Sequence, residues 1–413
     1  MTETDSKTPL YSWYALGLLM VVYVLNFLDR TIIYILFPRI KQEMSFSDTQ
    51  LALLGTTSFV IFYTILGIPF GRMADRGSRT KIIAVGVIIW SIFSGLTAFA
   101  WDFWTIFFCR VMVGVGEATL GPAAISLLSD YFPPARRATV TSIYSMGIAI
   151  GAGLAALLGG SLSQYGWRTA FMLIGFPGIA VGALVYLLKE PARTVAAAVE
   201  SNYSSTDWKR LLTNSTFILL CVGYALFGLA TNSISIWGAV FITRVHAIDI
   251  PTYGFWAGVI TLAAGIPATL FFGAIADRFK ARGWGRMMFG VLLCVVSAPL
   301  WLVVLFSDSF YAIVPAAFVL VGTGLGWVGA AAADVTEISG ANLRGLAIAV
   351  FFFAVNIAAY LIGSTLIGLI SDRFGATGDP AMMRYALLVC PIACIIGAVC
   401  LFAGNRMMRA KAA

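Results

Sequence analysis

GRMADR at residues 71–76 and GAIADR at residues 273–278 are two copies of one pattern, GxxxDR, and they are offset by 202 residues. Each copy follows a long apolar run, and each is followed by further basic residues. One GxxxDR string is weak evidence. Two copies at equivalent places in two series of apolar runs indicate an internal repeat. The two copies therefore predict a chain built from two similar halves.

The composition indicates that this chain is surrounded by lipid. Of its 413 residues, 60% are hydrophobic and 11% are charged, and the mean hydropathy is +0.91. One water-soluble core could not bury so much apolar surface. A bilayer core about 30 Å thick is crossed by about 20 helical residues. Twelve apolar runs of that length, named span 1 to span 12 in chain order, lie near residues 13–37, 49–71, 81–100, 103–129, 138–162, 169–189, 216–241, 252–276, 286–306, 310–333, 344–370 and 384–405.

Lysine and arginine predict the orientation of the spans. With the N-terminus in the cytoplasm, 19 of the 27 lysines and arginines fall on the cytoplasmic side and 6 on the outer side, as the positive-inside rule requires. The longest polar segment follows span 6. We therefore predict an all-α polytopic membrane protein with both termini cytoplasmic. Its twelve transmembrane helices form two pseudo-symmetric six-helix bundles, residues 1–189 and 215–413, joined by a cytoplasmic linker of residues 190–214.

Several function classes find no support in the sequence. The net charge is +8, but the basic residues lie in short loops between apolar runs, which indicates membrane topology rather than nucleic-acid binding. The six cysteines lie within apolar runs without a CxxC pair, and His246 is the only histidine, so we predict no metal site. No GxxxxGK[ST] phosphate-binding loop occurs, which argues against ATP-driven pumping. No cofactor is predicted.

The chain resembles the major facilitator superfamily. Residues 71–81 match the signature loop that follows the second helix in that family, with Ser78 in place of a late glycine, and residues 166–171 are also similar. Within the superfamily, NFLDR at 26–30 and RVMVGVGEA at 110–118 resemble the Spinster-like branch. The resemblance implies secondary transport by alternating access through a central cavity lined by spans 1, 4, 7 and 10. It also implies lipid-like cargo, of the sphingoid or lysolipid type that animal members export, and proton coupling.

Four ionisable residues lie at membrane depth, where such residues are costly and therefore functional by default. They are Asp29 and Arg30 in span 1, and Arg110 and Glu117 in span 4. At about 1.5 Å per residue, Asp29 and Arg110 lie at similar depth, and Glu117 lies about 10 Å deeper. We predict that Arg110 pairs with one carboxylate at a time and that the other takes up a proton. Arg30 is expected to point about 100° away, toward another helix or the cavity. A static salt bridge between the two spans is the alternative.

The opposite wall of the predicted cavity carries no such charge. The 202-residue offset maps Asp29 and Arg30 onto Thr231 and Asn232, and span 10 offers Phe318 and a glycine-rich stretch. One charged wall and one apolar wall suit an amphiphile whose ionic head lies toward Arg110. Organic anions and drugs would also fit such a cavity. The predicted substrate-binding residues are Arg110, Arg30, Asn26, Thr231, Asn232 and Phe318.

The repeated motif is expected to act as a gate. Asp75, at the inner end of span 2, can interact with the positive N-terminal end of span 11, which begins near Leu343. The predicted gating residues are Gly71, Asp75, Arg76, Gly273, Asp277 and Arg278. A third GxxxDR, residues 368–373, falls on the outer face and is interpreted as outer-loop structure.

The predicted function is therefore a proton-coupled secondary transporter of an amphiphilic or anionic small molecule. Its predicted partners are that substrate, protons and membrane lipids, without nucleic acid. It is expected to be a monomer in a bacterial inner membrane. The alternatives are a superfamily exporter or importer of organic anions or drugs, and a polytopic lipid-modifying enzyme. An enzyme would need a reactive set such as HxxxD, and the sequence lacks one. A transporter-like sensor is a further alternative.

Overall fold

The protein is described here by a computed structural model that covers residues 9–193, 205–376 and 378–412. Each predicted span is a helix or a short series of helices. Lys7 and residues 194–204 of the predicted linker lie outside the described residues. The main helices of the twelve spans are Leu10–Met44, Ser58–Arg76 (after Asp48–Ala52 and a π turn, Leu53–Thr57), Arg79–Leu96, Phe103–Glu117 with Leu120–Tyr131, Pro134–Leu162, Trp167–Gly175 with Pro177–Tyr186, Ser215–Val245, Ile250–Ala281, Met287–Phe306, Phe310–Gly340, Leu343–Arg373, and Met383–Ala386 with Val389–Ala412.

Span 4 is interrupted where its buried acid lies. Eleven helical segments of the described residues are long and apolar enough to cross a membrane. Span 4 instead consists of Phe103–Glu117 and Leu120–Tyr131. Pro122 has no amide hydrogen to donate to the carbonyl group four residues earlier, which explains a break at this point. Glu117 is thus the last residue of the first helix, at an interruption of the backbone ladder within the membrane.

Local sequence signals explain where the helices begin. Ser47 and Gln50 form a capping box at the start of span 2. Asp102 caps span 4 by accepting a hydrogen bond of 2.8 Å from the Thr105 amide. The hydrogen bonds that Thr105 donates also hold the pKa of the Asp102 carboxyl below its usual range. Hydropathy indicated the membrane-embedded part of each helix rather than its full length, so span 1 continues to Met44 instead of ending near residue 37.

The linker contains a helix that the sequence analysis did not predict. Ser205–Leu212 is helical and carries two basic residues, Lys209 and Arg210, in its last turn. It places Leu211 against the apolar core, with 2% of the residue exposed. Trp208, in contrast, remains 43% exposed. The helix is too short and too polar to be found by a search for apolar runs.

Spans 5 and 8 pack closely against each other through glycines. A Cβ atom on Gly254 would lie 2.5 Å from the Ala156 carbonyl oxygen and 2.6 Å from the Gly160 Cα. Small residues of this kind let helix backbones approach each other in lipid, where no hydrophobic effect drives helix association. This contact joins the first six spans to the last six, so any relative movement of the two sets must take place around it.

We expect Gly254→Ala to destabilise the folded protein because no space exists for the added methyl group. Overpacking of this kind costs about 1–3 kcal/mol, which thermal unfolding of the purified protein in detergent would detect. Gly17→Ala is the matched control, since a Cβ there meets nothing within 4 Å. Equal unfolding temperatures for the two variants would contradict the close packing of spans 5 and 8.

Candidate functional site

The four predicted membrane charges come together between spans 1 and 4. Asp29, Arg110 and Glu117 are each only 1% exposed. Arg30 has 13% of its side chain exposed. Asn26, one turn before Arg30, is buried and its side chain lies close to Glu117. The structure therefore brings the four residues together, although the pairing within the group differs from the predicted one.

Glu117 is paired with Arg30. Glu117 Oε2 accepts hydrogen bonds of 2.7 Å from Arg30 Nη2 and 3.2 Å from Arg30 Nε, and Oε1 has no partner. The Arg30 guanidinium also lies 4.9 Å from the ring centre of Phe27, 4.5 Å from that of Phe59 and 4.8 Å from that of Tyr63. Three aromatic faces and one carboxylate thus surround this cation.

Arg110 does not form the ion pairs that we predicted. Among the described residues its one hydrogen bond goes from Nη1 to the main-chain oxygen of Asp29, at 3.3 Å, and its Nε and Nη2 have no partner there. Side chains on a helix lean toward the N-terminal end of that helix. Span 1 runs outward and span 4 inward in the predicted orientation, so Arg30 and Glu117 lean toward each other. Arg110 leans away from Glu117 and past the carboxylate of Asp29. Predicting depth from Cα positions alone missed this direction.

Asp29 is held by span 3 instead. Its Oδ1 accepts a hydrogen bond of 2.7 Å from the Ser94 hydroxyl, and Trp90 lies close to the same carboxylate. Neither residue was predicted as part of the site, because a serine and a tryptophan in an apolar run give no signal in the sequence. Asp29 therefore has a neutral donor, and no arginine nitrogen of the described residues lies within salt-bridge distance of its carboxylate.

A largely apolar cavity of about 140 Å³ is lined mainly by the last six spans, with further lining residues from spans 1 and 5. Thr231 and Asn232, which the repeat predicted, both line it, but each donates its hydrogen bond to Gly228 O of its own helix. Phe318 does not line the cavity and is 43% exposed. Its prediction as a binding residue is wrong for this cavity, since span 10 presents the face of residues 314, 317, 321 and 324 instead.

Aromatic residues that the sequence analysis missed dominate this cavity. Trp237 and Trp301 both line it, both are at most 2% exposed, and both indole N–H groups lack a partner. Span 1 contributes Thr31 and Ile35 to the same lining. The residue next to Arg30 thus reaches the cavity, so span 1 connects the charged group to the apolar space.

At the outer ends, a buried carboxylate joins spans 2, 7 and 11. Asp48 is 0% exposed. Its two oxygens accept hydrogen bonds of 2.7 Å each from Arg244, and one of them also accepts a hydrogen bond of 2.5 Å from the Ser371 hydroxyl. Lys41 lies 2.5 Å from Asp48 Oδ1.

The third GxxxDR forms the second part of this outer contact. Asp372 accepts hydrogen bonds from the amides of Asp48 (2.9 Å) and Thr49 (2.8 Å) and from the Thr49 hydroxyl (2.6 Å). A Cβ on Gly368 would lie 2.9 Å from the Asp48 carbonyl oxygen. Our interpretation of residues 368–373 as outer-loop structure was therefore wrong. The motif caps the first turn of span 2, where unpaired amides and the helix dipole favour an anion.

The two inner copies of the motif differ from each other. Asp75 is exposed and makes no hydrogen bond or ion pair with the described residues, so its predicted contact with span 11 is absent in this structure. Asp277 accepts a hydrogen bond of 2.7 Å from Arg286. Gly71, Arg76, Gly273 and Arg278 lie with these aspartates at the inner helix ends.

This fold, with its buried charges and linked helix ends, is that of a secondary transporter. The Major Facilitator Superfamily model matches residues 19–359, and the chain belongs to that superfamily. The predicted all-α multi-pass membrane fold is confirmed. The crystal structure of a bacterial homolog of the human lysosomal transporter Spinster, inward-facing and unoccupied, superimposes with a TM-score of 0.84 at 25% identity, covering 96% of this chain and 97% of that one.

Known relatives agree with the Spinster-like resemblance. An MFS-type efflux pump of Mycolicibacterium smegmatis is 27% identical, over 98% of this chain and 96% of that protein. Protein spinster homolog 1 of Xenopus tropicalis is 26% identical, over 92% of this chain and 78% of that protein. A D-xylose–proton symporter shares the fold, with a TM-score of 0.75 at 15% identity.

We expect Asp372→Asn to favour states in which the outer side is open. The substitution removes the negative charge that accepts three hydrogen bonds. Charge-assisted hydrogen bonds contribute about 1.5–3 kcal/mol, so the ratio of outward-open to inward-open molecules should rise roughly tenfold or more. Spin labels on cysteines placed at Gln42 and Ala381, both exposed near outer helix ends, would report the distance distribution.

The matched control is Asp308→Asn, because Asp308 is another outer aspartate and 97% of its side chain is exposed. It should leave the distances as in the wild type. Asp75→Asn should shift the same distributions the opposite way, toward inward-open states. Identical distributions for Asp372→Asn and Asp308→Asn would show that the capping contact does not hold the outer side closed.

Proposed function

We propose that this protein is a proton-coupled secondary transporter that carries an amphiphile with an anionic head across a bacterial cell membrane. The observation that carries the proposal is Arg110, a buried arginine with two donor nitrogens that have no partner. Buried polar groups in proteins are almost always hydrogen-bonded, so unpaired donors at this depth suit a ligand. The superfamily is one of transporters, which makes the lipid-modifying enzyme the weaker alternative.

The proposed place for the anionic head is between Arg110 and the pair formed by Arg30 and Glu117. Guanidinium groups bind carboxylate and phosphate with two parallel hydrogen bonds. Arg30 already has a carboxylate partner at 2.7 Å, whereas Arg110 has only one bond of 3.3 Å, to a main-chain oxygen. Arg110 is therefore the better candidate for direct contact with the substrate, and Asn26 and Arg30 support the same pocket.

The proposed place for the apolar part of the substrate is the cavity lined mainly by spans 7, 8, 9 and 10, with residues of spans 1 and 5 completing the lining. Its lining is mostly apolar and aromatic, and Thr31 and Ile35 connect it to the span that carries Arg30. Apolar walls with a few placed polar groups are typical of small-molecule sites. Here the polar groups are the free indole N–H groups of Trp237 and Trp301, which suit an ether, ester or hydroxyl oxygen on the substrate.

Proton coupling is proposed to work through Asp29. An ionised carboxylate buried beside a single hydroxyl donor is costly, so Asp29 is proposed to hold a proton in this state. When Asp29 releases the proton, its carboxylate becomes an anionic partner for Arg110 and competes with the substrate head. Protonation of Asp29 then leaves Arg110 available. Glu117 and Arg30 are proposed to take part in the coupling as a pair. If either residue lost its partner, the other would be left as an unpaired buried charge.

A second candidate function is export of organic anions or drugs. The Mycolicibacterium smegmatis relative is described as an efflux pump and aligns with nearly the whole of this chain. The same free arginine and aromatic cavity would accept a flat aromatic acid. Binding of lysolipids and of aromatic acids to the purified protein, compared by competition, separates the two candidates.

We expect Asp29→Asn and Glu117→Gln each to abolish accumulation driven by a pH step. Asparagine at position 29 cannot release a proton, and glutamine at position 117 leaves Arg30 buried without a counter-charge. The measurement is uptake of a labelled amphiphile by proteoliposomes with and without the pH step. Asp308→Asn, an exposed outer aspartate, should behave as the wild type. If both site variants respond to the pH step as the wild type does, the carboxylates are structural and the proposal of proton coupling fails.

We expect Arg110→Lys to bind the substrate at least tenfold more weakly than the wild type. Lysine keeps the positive charge but lacks the planar fork that pairs with a carboxylate or phosphate group. Equilibrium binding to the purified protein measures this directly. Arg39→Lys, at an exposed position near the outer end of span 1, is the control. Wild-type affinity for Arg110→Lys would show that charge alone is recognised, and wild-type affinity for Arg110→Ala would remove Arg110 from the site.

A further inference from the structure

A further carboxylate is buried in the inner part of span 10, away from the charged group of spans 1 and 4. Asp334 is 0% exposed. In the described parts of the chain it is the only carboxylate whose two oxygens are both buried without a hydrogen-bond partner. An ionised carboxylate in such a place loses its hydration and gains nothing in return. The protonated acid avoids most of that cost.

The charged groups around Asp334 are already balanced without it. Arg286, at the start of span 9, donates hydrogen bonds to Asp277 (2.7 Å) and to Glu337 (2.8 Å). Lys280, near the end of span 8, donates one to Glu337 (2.6 Å). Two cations therefore face two anions. An ionised Asp334 would add a third negative charge, at the least solvated position of the five.

A tyrosine from span 7 completes the surroundings. Tyr224 is 0% exposed, and its hydroxyl group also has no partner. The ring is stacked on Trp327 with the centroids 5.2 Å apart. A Cβ on Gly290 would lie 2.6 Å from the Tyr224 hydroxyl oxygen, so the absence of a side chain in span 9 makes the space for this group. Tyr224 and Asp334 are electrostatic neighbours. Two buried polar groups without a hydrogen-bond partner among the described residues thus lie in the same part of the apolar core.

The first six spans contain a similar arrangement in which the ion pair is formed. Arg79 begins span 3, as Arg286 precedes span 9. Asp130 lies near the end of span 4, and its oxygen is 2.5 Å from Arg79. In the last six spans, Arg286 lies near Asp334 but is bonded to two more exposed carboxylates instead. The ion pair between Arg79 and Asp130 is thus formed, whereas Arg286 and Asp334 do not form the equivalent pair.

We propose that Asp334 is a proton-binding site, separate from Asp29 and reached from the inner side of the membrane. In the present structure Asp334 carries the proton, and Arg286 is held by Asp277 and Glu337. When Arg286 turns to Asp334, as Arg79 does to Asp130, the carboxylic acid releases its proton to water at the inner surface and becomes the carboxylate of an ion pair. Because Asp277 belongs to the second GxxxDR copy, this proton step is linked to the inner ends of spans 8, 9 and 10. Its part in transport rests on the proposed function, but the protonation does not.

Infrared spectroscopy of the reconstituted protein tests the site without substrate and without a pH gradient. The C=O stretching band of protonated carboxylic acids is compared at neutral pH between the wild type, Asp334→Asn and Asp130→Asn. We expect Asp334→Asn to lose one protonated-acid component and Asp130→Asn to keep it. A band that is unchanged by Asp334→Asn would overturn the proposal.

A second variant covers the case in which Asp334→Asn fails to fold. Asp334→Glu keeps a carboxyl group and should shift the band without removing it, and an unshifted band would again overturn the site. Asp29→Asn separates this proposal from the preceding one. The Asp334 component should persist in Asp29→Asn whether or not that variant still responds to a pH step, and its loss there would assign the band to Asp29 instead.

Discussion

A charge inside a bilayer has little water to stabilise it, so ionised groups at that depth pair with a counter-charge or a backbone carbonyl oxygen of the protein, or face a water-filled cavity. This constraint explains why Glu117 and Arg30 meet, although they come from different helices and are separated by 87 residues. It also explains the aromatic faces of Phe59 and Tyr63 around the guanidinium group, since these supply negative potential without a further charge. Spans 1 and 4 are held together by this pair. Any step that separates them must supply a proton, an ion or a ligand in place of the lost partner.

The helix ends follow the same electrostatic rule at the membrane surfaces. Span 2 runs inward and span 11 runs outward, so each helix begins where the other ends. Asp372, at the end of span 11, uses the first amides of span 2. We predict a corresponding contact between Asp75, at the end of span 2, and the start of span 11, although Asp75 is exposed in this structure. If the two sets of spans rock about the tight contact at Gly254, one cap is made as the other is lost. Because similar bonds are exchanged, the two states can remain close in free energy, as alternating access requires.

The sequence predicted the elements that depend on long patterns and missed those that depend on side-chain direction. Apolar length gave the twelve spans, and the 202-residue repeat led to Thr231 and Asn232, which line the cavity. The depth of each Cα atom in the membrane placed Arg110 beside Asp29. The contacts depend instead on the direction in which helical side chains lean, and Arg30 and Glu117 lean toward each other. Ser94 and Trp237 carry no signal in an apolar run. The third GxxxDR was misinterpreted because only its position on the outer side was considered. Span 2 begins next to it, and Asp372 accepts hydrogen bonds from the first amides of that helix.

Charge balance connects the substrate and the proton in the proposed mechanism. With Asp29 protonated, the group formed by Arg30, Arg110 and Glu117 carries two positive charges and one negative charge, so it lacks one anion. A substrate with a single anionic head makes the group neutral. With Asp29 ionised, the protein is neutral by itself and a bound anion would be in excess. Binding of the anion and protonation of Asp29 therefore favour each other, and by linkage each must strengthen the other to the same degree. The charges around Asp334 are balanced in the opposite protonation state. Two cations there face two other carboxylates, so the group is neutral while Asp334 is protonated and carries an extra negative charge when Asp334 is ionised.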